Sequence, residues 1–266
     1  MRSLFDDLAP SYDRTFSSTV LGGLLRDAVH EELRQVFHAG DRILDIGCGT
    51  GEDALRLHEQ GISVHGVDAS SEMIALAMAK ANDALGCCPP SERPPGGRRA
   101  NVEFEVRDIS ERGLPNGPFD GALANFGVVN CLRDVRRFSD DLRRSLKPQG
   151  RVVLVAMGRY CLWDWLWYVP RGKPDLAARR IAGRVDFRRA TIRYWTPAQL
   201  ASQFPPQFRS LGHKPIGLLL PPTFAAGAAE RYPSVSRALA AMERTLRAAR
   251  VGSSLSDHFL LELERL

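Results

Sequence analysis

The sequence lacks the features of exported and membrane-spanning chains. It has no run of about 18 apolar residues, the length that a membrane-spanning helix needs. Its first residues, MRSLFDDLAPSYDRTF, include three aspartates and lack the apolar stretch of a secretory signal. We therefore expect a soluble, cytoplasmic protein that has no membrane partner.

Cysteine, histidine and lysine are all scarce. The five cysteines are odd in number and irregularly spaced, which argues against a disulfide framework. Neither they nor the six histidines show metal-ligand spacing, so we expect no metal. Only 4 of the 36 basic residues are lysines, and the net charge is +5. That charge permits an anionic partner without identifying one.

Over residues 1–157, short apolar segments typical of strands alternate with segments whose apolar residues have helical spacing. The alternation predicts a parallel α/β sheet with helices on both faces. A segment with four prolines and three glycines, 86–99, is predicted to be a loop. The predicted strands are 41–47, 62–68, 101–109, 117–126 and 150–157, and the predicted helices are 18–37, 51–60, 70–83 and 134–146.

The rest of the chain has fewer periodic segments. Thr196 and Pro197 have the residue types of an N-cap and a first helical position, so they predict a short helix. We divide the chain into a core (1–157), an aromatic and basic insertion (158–195) and a remainder (196–266). Within that remainder we predict a helix at 196–204, a strand at 216–221, a helix at 234–250 inside an insertion at about 222–256, and a last strand at 257–266.

A glycine-rich loop lies where the first strand meets the first helix. In ILDIGCGTGED (43–53), the glycines are Gly47, Gly49 and Gly51. Glycine lets the backbone turn sharply and approach a ligand closely. The N-terminus of the following helix favours a carboxylate or a phosphate. Because many α/β proteins have such a loop, it is weak evidence by itself.

Polar groups also end the next three strands. Asp68 ends the second strand, where a carboxylate can accept hydrogen bonds from both ribose hydroxyls of a nucleoside. Asp108 ends the third strand, where it can accept from an adenine amino group. The loop NFGVVNCL (125–132) follows the fourth strand. Since ligands of open α/β sheets bind at the carboxyl ends of strands, these elements predict one shared site.

Together these features resemble the class I S-adenosylmethionine-dependent methyltransferases of the small-molecule type. The resemblance covers residues 5–157 and the last strand. LKPQGRVVLV (146–155) is similar to the family's junction before strand 5, and FDDLAPSYDRTF (5–16) resembles a segment that covers the cofactor. The resemblance implies a doubly wound, mostly parallel seven-stranded sheet of the Rossmann-like methyltransferase fold. It also implies S-adenosylmethionine as cofactor and S-adenosylhomocysteine as product, with the methyl group passing to an O, N or C atom of a small molecule.

The resemblance also implies roles around the methionine part of the cofactor. Gly47 and Gly49 bring main chain against it, and Asp45 orients it, directly or through water. The Asn125 carbonyl receives the cofactor's ammonium, and Phe126 shapes the pocket. Asp45 has a simpler alternative, which is to cap the glycine loop.

Other residues are implied at the nucleoside part. Asp68 holds the ribose, and Ala69 and Met73 pack on the adenine faces. Asp108 and the Ile109 amide contact the adenine edge. Met73 also fits the apolar face of an amphipathic helix, so a purely structural role stays open.

Two further residues complete the expected cofactor site. Tyr12 is expected to close over the sulfonium. Cys48 lies within the glycine loop, and nothing near it in sequence would activate it as a nucleophile. No histidine is placed to act as a general base, so we assign no catalytic residue.

Three other functions compete with this interpretation. A nicotinamide-dependent oxidoreductase has GxGxxG, but the sixth position counted from Gly47 is Glu52, which would face a pyrophosphate. An RNA methyltransferase fits aromatics interleaved with arginines, yet no separate nucleic-acid module is present. The third alternative is a non-catalytic binding protein that retains the fold, and the intact set of Asp45, Gly47, Gly49, Asp68 and Asp108 argues against it. We therefore expect a small-molecule acceptor rather than nucleic acid.

The insertion at 158–195 departs from a minimal methyltransferase. It holds all four tryptophans and 8 of the 21 aromatic residues. It also carries nine basic residues against three acids, so its net charge is +6 and the remaining chain sums to −1. We expect a lid whose aromatics line an apolar substrate pocket and whose arginines bind an anionic group. The alternative is an amphipathic helix pair that fills a local core or a homodimer interface. The candidate substrate residues are Trp163, Trp167, Arg179 and Arg180.

Overall fold

The computed structural model is built around one seven-stranded sheet. It describes residues 6–7, 9–86, 100–187, 190–222 and 226–266. The strands are β1 (Arg42–Ile46), β2 (Ser63–Asp68), β3 (Val102–Val106), β4 (Phe119–Ala124), β5 (Leu146–Met157), β6 (Arg184–Phe187), β7 (Ala190–Arg193), β8 (Phe208–Ile216) and β9 (His258–Arg265).

Helices follow most of these strands. A π-helix at Asp13–Ser17 and a 3₁₀-helix at Val169–Arg171 add single turns. None of the helices in the described part of the chain combines the length and apolarity needed to cross a bilayer. The α-helices are α1 (Ala9–Tyr12), α2 (Val20–Val36), α3 (Glu52–His58), α4 (Ser71–Gly86), α5 (Ile109–Arg112), α6 (Val128–Cys131), α7 (Val135–Ser145), α8 (Leu162–Tyr168), α9 (Pro174–Ala178), α10 (Pro197–Ala201), α11 (Ala226–Arg231) and α12 (Pro233–Ala248).

The strand order is β3-β2-β1-β4-β5-β9-β8. Strands β1 to β5 are parallel, whereas β9 runs antiparallel to β5 and β8 antiparallel to β9. The chain moves outward from β1 to β3 and then returns to place β4 on the other side of β1. This reversal opens a crevice at the carboxyl ends of β1 and β4. The predicted doubly wound, mostly parallel seven-stranded sheet is confirmed.

Two apolar clusters bury the two faces of the sheet. Strand residues alternate between them: Ile43 belongs to one cluster, and Leu44 and Ile46 to the other. Burial on both faces explains why the central strands are nearly continuous apolar runs. Helix α2 covers one face with apolar residues that recur every four positions, namely Leu21, Leu25, Val29 and Leu33.

The predicted elements of the core are confirmed to within a few residues. The predicted start of α10 is confirmed in detail: the Thr196 hydroxyl accepts from the Gln199 amide, and the Gln199 side chain accepts from the Thr196 amide. Most of the predicted loop at 86–99 lies outside the described residues.

The strand predicted at 216–221 is wrong. Strand β8 ends at Ile216, and Gly217 turns the chain with φ +70°. The apolar run beyond it is buried, but its amides do not pair with the sheet. The carboxylate of Glu243 on α12 instead accepts from Gly217, Leu219 and Leu220, at 2.7, 2.8 and 3.4 Å. A side chain that is distant in sequence therefore accepts the amide hydrogen bonds of this segment, although the sequence of the segment resembles a strand.

The insertion after β5 forms its own small structure. It contains α8, the 3₁₀ turn, α9 and the antiparallel hairpin of β6 and β7. A bridge between Gly158 and Trp195 joins its two ends beside the end of β5. The hairpin is thereby held close to the carboxyl edge of the main sheet.

Candidate functional site

A cavity of about 270 Å³ opens at the carboxyl ends of β1, β2 and β4. Ten of the twelve residues predicted for the cofactor line it, although they come from six separate segments of the chain. They are Tyr12, Gly47, Gly49, Asp68, Ala69, Met73, Asp108, Ile109, Asn125 and Phe126. The remaining described lining residues are Val67, Arg107, Ser110, Gly127, Val128, Cys131, Leu132, Met157 and Ile192.

Two glycines of the loop are required for different reasons. Gly49 has φ +53°, and a Cβ there would meet no atom within 4 Å, so its exposed side faces open space. Gly47 has φ +67°, and a Cβ there would lie 2.4 Å from the Val128 side chain. Gly47 therefore permits the loop after β4 to pack against the loop after β1, whereas Gly49 presents bare backbone to the cavity.

Asp68 is fixed by the loops on either side of it. Its two carboxylate oxygens accept from the Gly49 amide at 3.0 Å and from the Ser70 amide at 2.8 Å. Burial raises the pKa of the Asp68 carboxyl, and these amide donors act against that rise. Each carboxylate oxygen keeps a lone pair beyond these bonds. The group is thus held as a rigid acceptor at the cavity wall.

Asp45 lies on β1 and Cys48 lies within the glycine loop, and neither is among the residues that line the cavity. Asp45 is 1% exposed, and its Oδ2 has no hydrogen-bond partner in the described structure. Burial and the nearby Asp53 carboxylate raise the pKa of Asp45 well above its usual value. Burial likewise raises the pKa of the Cys48 thiol, which is consistent with an unreactive loop residue.

A buried ion-pair network supports the loop after β4. Asp53 lies 2.6 Å from Arg26 and 2.8 Å from His30, and it accepts from the Asn125 side-chain amide at 2.9 Å. The Arg26 guanidinium and the His30 ring hold the pKa of Asp53 below its usual value, despite its burial. The Asn125 side-chain oxygen accepts from the Phe126 amide, so the network fixes the backbone at the cavity.

Sequence reasoning missed Arg26, His30 and Asp53. Arg26 and His30 lie on the inner side of α2, and Asp53 occupies the first turn of α3. The only signal was a second acid after the glycine loop, next to Glu52, and it did not indicate a partner. The pairing depends on how α2 packs against α3.

Aromatic side chains form the wall beside this network. Phe126 has φ +44°, a strained conformation for a residue with a side chain. Its ring makes edge contacts with Phe16 and His258, and the Arg26 guanidinium lies 5.4 Å from its centre. Tyr12 also lines the cavity, and burial raises the pKa of its phenol to about 12.

Asp108 marks the opposite end of the cavity. Its Oδ1 accepts from the Ser110 amide at 2.8 Å, so the side chain also caps the short helix α5. The carboxylate and the Ile109 amide thereby share one turn of backbone. Both residues line the cavity.

The four candidate substrate residues in the insertion are not among the residues that line the cavity. Trp163 lies on α8, and Trp167 stacks with Arg171 at 3.7 Å. Arg179 lies 5.4 Å from the centre of the Tyr168 ring. Of the described residues of the insertion, only Ile192 on the hairpin lines the cavity.

Arg180, predicted to bind a substrate anion, contacts acids of the chain itself. Its guanidinium is buried and pairs with Asp164 at 2.8 Å and Asp257 at 2.7 Å. Another of its nitrogens donates to the Asp257 carbonyl. Because these carboxylates and carbonyls occupy it, Arg180 fastens the insertion to the start of β9.

The unpaired oxygen of Asp45 leads to a prediction about stability. An acid whose folded pKa is raised keeps its proton longer in the folded state, so stability falls as pH rises past about 4. We expect Asp45→Asn to raise the free energy of unfolding at pH 7, with the gain disappearing below about pH 4. The same change should weaken cofactor binding. Urea unfolding across pH, alongside the exposed control Asp83→Asn, measures this, and a less stable Asp45→Asn protein at pH 7 contradicts it.

Comparison with known proteins finds similarity to methyltransferases. Residues 43–150 match the model of a methyltransferase domain. A ubiquinone/menaquinone biosynthesis C-methyltransferase, UbiE, from Geotalea uraniireducens is 32% identical over 160 residues, which cover 58% of this chain and 62% of the relative. A demethylmenaquinone methyltransferase from Deinococcus radiodurans is 30% identical over 160 residues, covering 58% of this chain and 59% of the relative. The alignments thus span about three fifths of these relatives.

Solved structures show the same fold. A SAM-dependent methyltransferase from Methanosarcina mazei superposes with a TM-score of 0.55 at 21% identity, covering 88% of this chain and 96% of that chain. Geranyl diphosphate C-methyltransferase from Streptomyces coelicolor A3(2) does so with a TM-score of 0.54 at 16% identity, covering 91% and 81% of the two chains.

The sheet order, the glycine loop and the acids that end β2 and β3 define a Rossmann-like methyltransferase core. The chain therefore has the fold of a Rossmann-like methyltransferase, and residues 43–150 are similar to a methyltransferase domain.

Proposed function

We propose that this protein transfers a methyl group from S-adenosylmethionine to a small, partly apolar acceptor molecule. The observation that carries the proposal is the single cavity in which ten predicted cofactor residues meet at the switch point of the sheet. Asp45 and the Cys48 backbone would support the same ligand from below. We further propose that the protein acts in the cytoplasm, since Cys48, Cys131 and Cys161 are free thiols.

The residues present fit the cofactor. The unpaired, buried Oδ2 of Asp45 is an acceptor suited to a cationic donor group. Asp68 offers a fixed acceptor for hydroxyl groups, and Asp108 offers one for an amino group. The open side of Gly49 leaves room for a ligand against the backbone. When bound, S-adenosylmethionine supplies a methyl group already activated by its sulfonium.

The chain's own contribution is to bind, orient and exclude water. Tyr12 stays protonated at neutral pH because its pKa is about 12, so its hydroxyl donates a hydrogen bond rather than accepting a proton. Burial also raises the pKa of the Cys131 thiol, which keeps that group neutral. Among the described lining residues none is a histidine. We therefore propose an acceptor whose nucleophilic atom ionises readily in water, such as a phenol or an enol.

The nature of the lining supports a small molecule over nucleic acid. Val128, Leu132, Met157 and Ile192 form an apolar wall next to the predicted cofactor residues. The similarity to methyltransferases of quinone biosynthesis supports an aromatic acceptor. An apolar wall favours such a ring because burying it removes apolar surface from water.

Calorimetry with S-adenosylmethionine and S-adenosylhomocysteine tests the proposal. We expect both to bind with one site per chain, and binding of neither overturns the assignment. Incubation with methyl-labelled cofactor and a series of phenols and quinols then tests the acceptor class. We expect label to enter ionisable acceptors and not their methyl ethers, and equal labelling of the ethers would contradict the acceptor proposed here.

A further inference from the structure

A second cleft, of about 360 Å³, lies beside the β6–β7 hairpin. Three of its lining residues are arginines, and none of the described ones is acidic. Since a cluster of like charges without a counter-charge is costly to hold together, this composition calls for an explanation. The lining residues are Arg159, Ala182, Gly183, Arg184, Arg193, Tyr194, Trp195, Gln199, Ser202 and Gln203.

The hairpin register places two of these charges directly opposite each other. Arg184 on β6 pairs with Arg193 on β7, so both side chains project from the same face. The acid on that face, Asp186, accepts from the Thr191 hydroxyl at 2.7 Å and is not among the lining residues. Like charges opposite each other destabilise a strand pair, and here no lining group compensates them.

The hydrogen-bond donors of the cleft are largely unused. Neither the Arg184 nor the Arg193 side chain makes a hydrogen bond or ion pair within the described part of the chain. The indole nitrogen of Trp195 is buried and has no partner there. Arg159 donates through Nε and Nη2 to the Ile181 carbonyl, at 3.1 and 2.7 Å, which fixes its guanidinium and leaves Nη1 free.

We propose that this cleft binds a phosphate or diphosphate group. Guanidinium groups match the spacing of phosphate oxygens and bind them through paired hydrogen bonds. The cleft offers more hydrogen-bond donors than a single carboxylate can use. They are two unpaired guanidiniums, a third guanidinium that is oriented by a carbonyl, and a free indole N–H. A bound phosphate would also offset the repulsion between Arg184 and Arg193.

The hairpin links this cleft to the cofactor cavity. Ile192 precedes Arg193 on β7, so its side chain lies on the opposite face of the hairpin. Together with Met157 it lines the cofactor cavity. The Asn130 side chain donates to the Arg193 carbonyl and to the Met157 carbonyl, and it accepts from the Met157 amide. An anion that holds Arg184 and Arg193 would therefore stabilise one wall of the cavity. This coupling, but not the anion site itself, rests on the proposed function.

Titration with inorganic pyrophosphate tests the site. We compare the wild-type protein with Arg184→Gln/Arg193→Gln and with Arg136→Gln/Arg137→Gln, a control that removes the same charge from the exposed face of α7. Sodium chloride of equal ionic strength accompanies each titration. We expect the cleft variant to bind pyrophosphate at least about tenfold more weakly than the wild type and the control. Equal binding by all three proteins, or a response matched by sodium chloride, overturns the proposal. Melting without ligand checks that the variants fold.

A second arm measures S-adenosylhomocysteine affinity with and without pyrophosphate. We expect pyrophosphate to tighten binding by about threefold or more in the wild type and not in the cleft variant. An unchanged affinity overturns the coupling. Failure of S-adenosylhomocysteine to bind at all overturns the proposed function and leaves the pyrophosphate result standing. Tighter binding of an alkyl diphosphate than of pyrophosphate assigns the phosphate to the acceptor, and equal binding assigns it to a free anion.

Discussion

Replacing Asp68 by alanine is expected to weaken S-adenosylhomocysteine binding by about 100-fold or more. The carboxylate is positioned at the cavity wall by the Gly49 and Ser70 amides. Bonds from two ligand hydroxyls to a charged acceptor are each worth about 1.5–3 kcal/mol, so their loss corresponds to a change of this size. Isothermal titration calorimetry of the two proteins at pH 7 provides the measurement.

The control for this prediction separates lost ligand contacts from a disturbed loop. Asp83→Asn removes a charge from the exposed surface of α4 and should leave binding unchanged. Asp68→Asn keeps the side-chain shape and should fall between the wild type and Asp68→Ala. If the contact is to the ribose, adenosine should lose affinity by a similar factor, because it carries the same hydroxyls. A loss of less than about threefold for Asp68→Ala would contradict the assigned role.

The part of the site that sequence could predict is the part that lies at strand ends. The residues Gly47, Gly49, Asp68 and Asp108 each lie at the end of a strand or within three residues of it, and the sequence predicted all three of these strands. Because parallel strands bring their carboxyl ends to one edge, the order of elements along the chain is enough to bring these residues together. Their meeting in one cavity required no knowledge of how the helices pack.

The parts that sequence missed depend on contacts between distant segments. Asp53 pairs with Arg26 and Asn125, which are 27 and 72 residues away. Arg180 is similarly held by Asp257, from the start of β9. Charged residues of these types usually lie at the protein surface, and only the tertiary arrangement shows that these ones are buried. The basic charge of the insertion is therefore a mixture of structural pairs such as Arg180 and unpaired groups such as Arg184.

Replacing Asp53 by alanine is expected to lower the free energy of unfolding by about 3–5 kcal/mol. The substitution would leave the Arg26 guanidinium, which is 3% exposed, without its carboxylate at 2.6 Å. It would also remove the partner of His30 and of the Asn125 amide. Removing one member of a buried ion pair leaves the other charge buried without a partner. The free-energy cost of that uncompensated charge exceeds the net stabilisation that the pair provides. Urea unfolding at pH 7 measures the change.

The double variant Arg26→Met/Asp53→Ala distinguishes a stranded charge from a general loss of packing. It should recover a large part of the stability lost in Asp53→Ala, because no uncompensated guanidinium remains. Asp27 neighbours Arg26 on α2 and forms only an exposed ion pair with Arg56 of α3, so Asp27→Ala should cost less than about 1 kcal/mol. The pH dependence gives an independent check. Because the folded pKa of Asp53 lies below its unfolded value, its contribution is complete above about pH 5 and is lost as the pH falls below about 4. The stability difference between wild type and Asp53→Ala should therefore shrink in acid, and a difference that stays constant down to pH 3 would show that the carboxylate charge is not what holds Arg26.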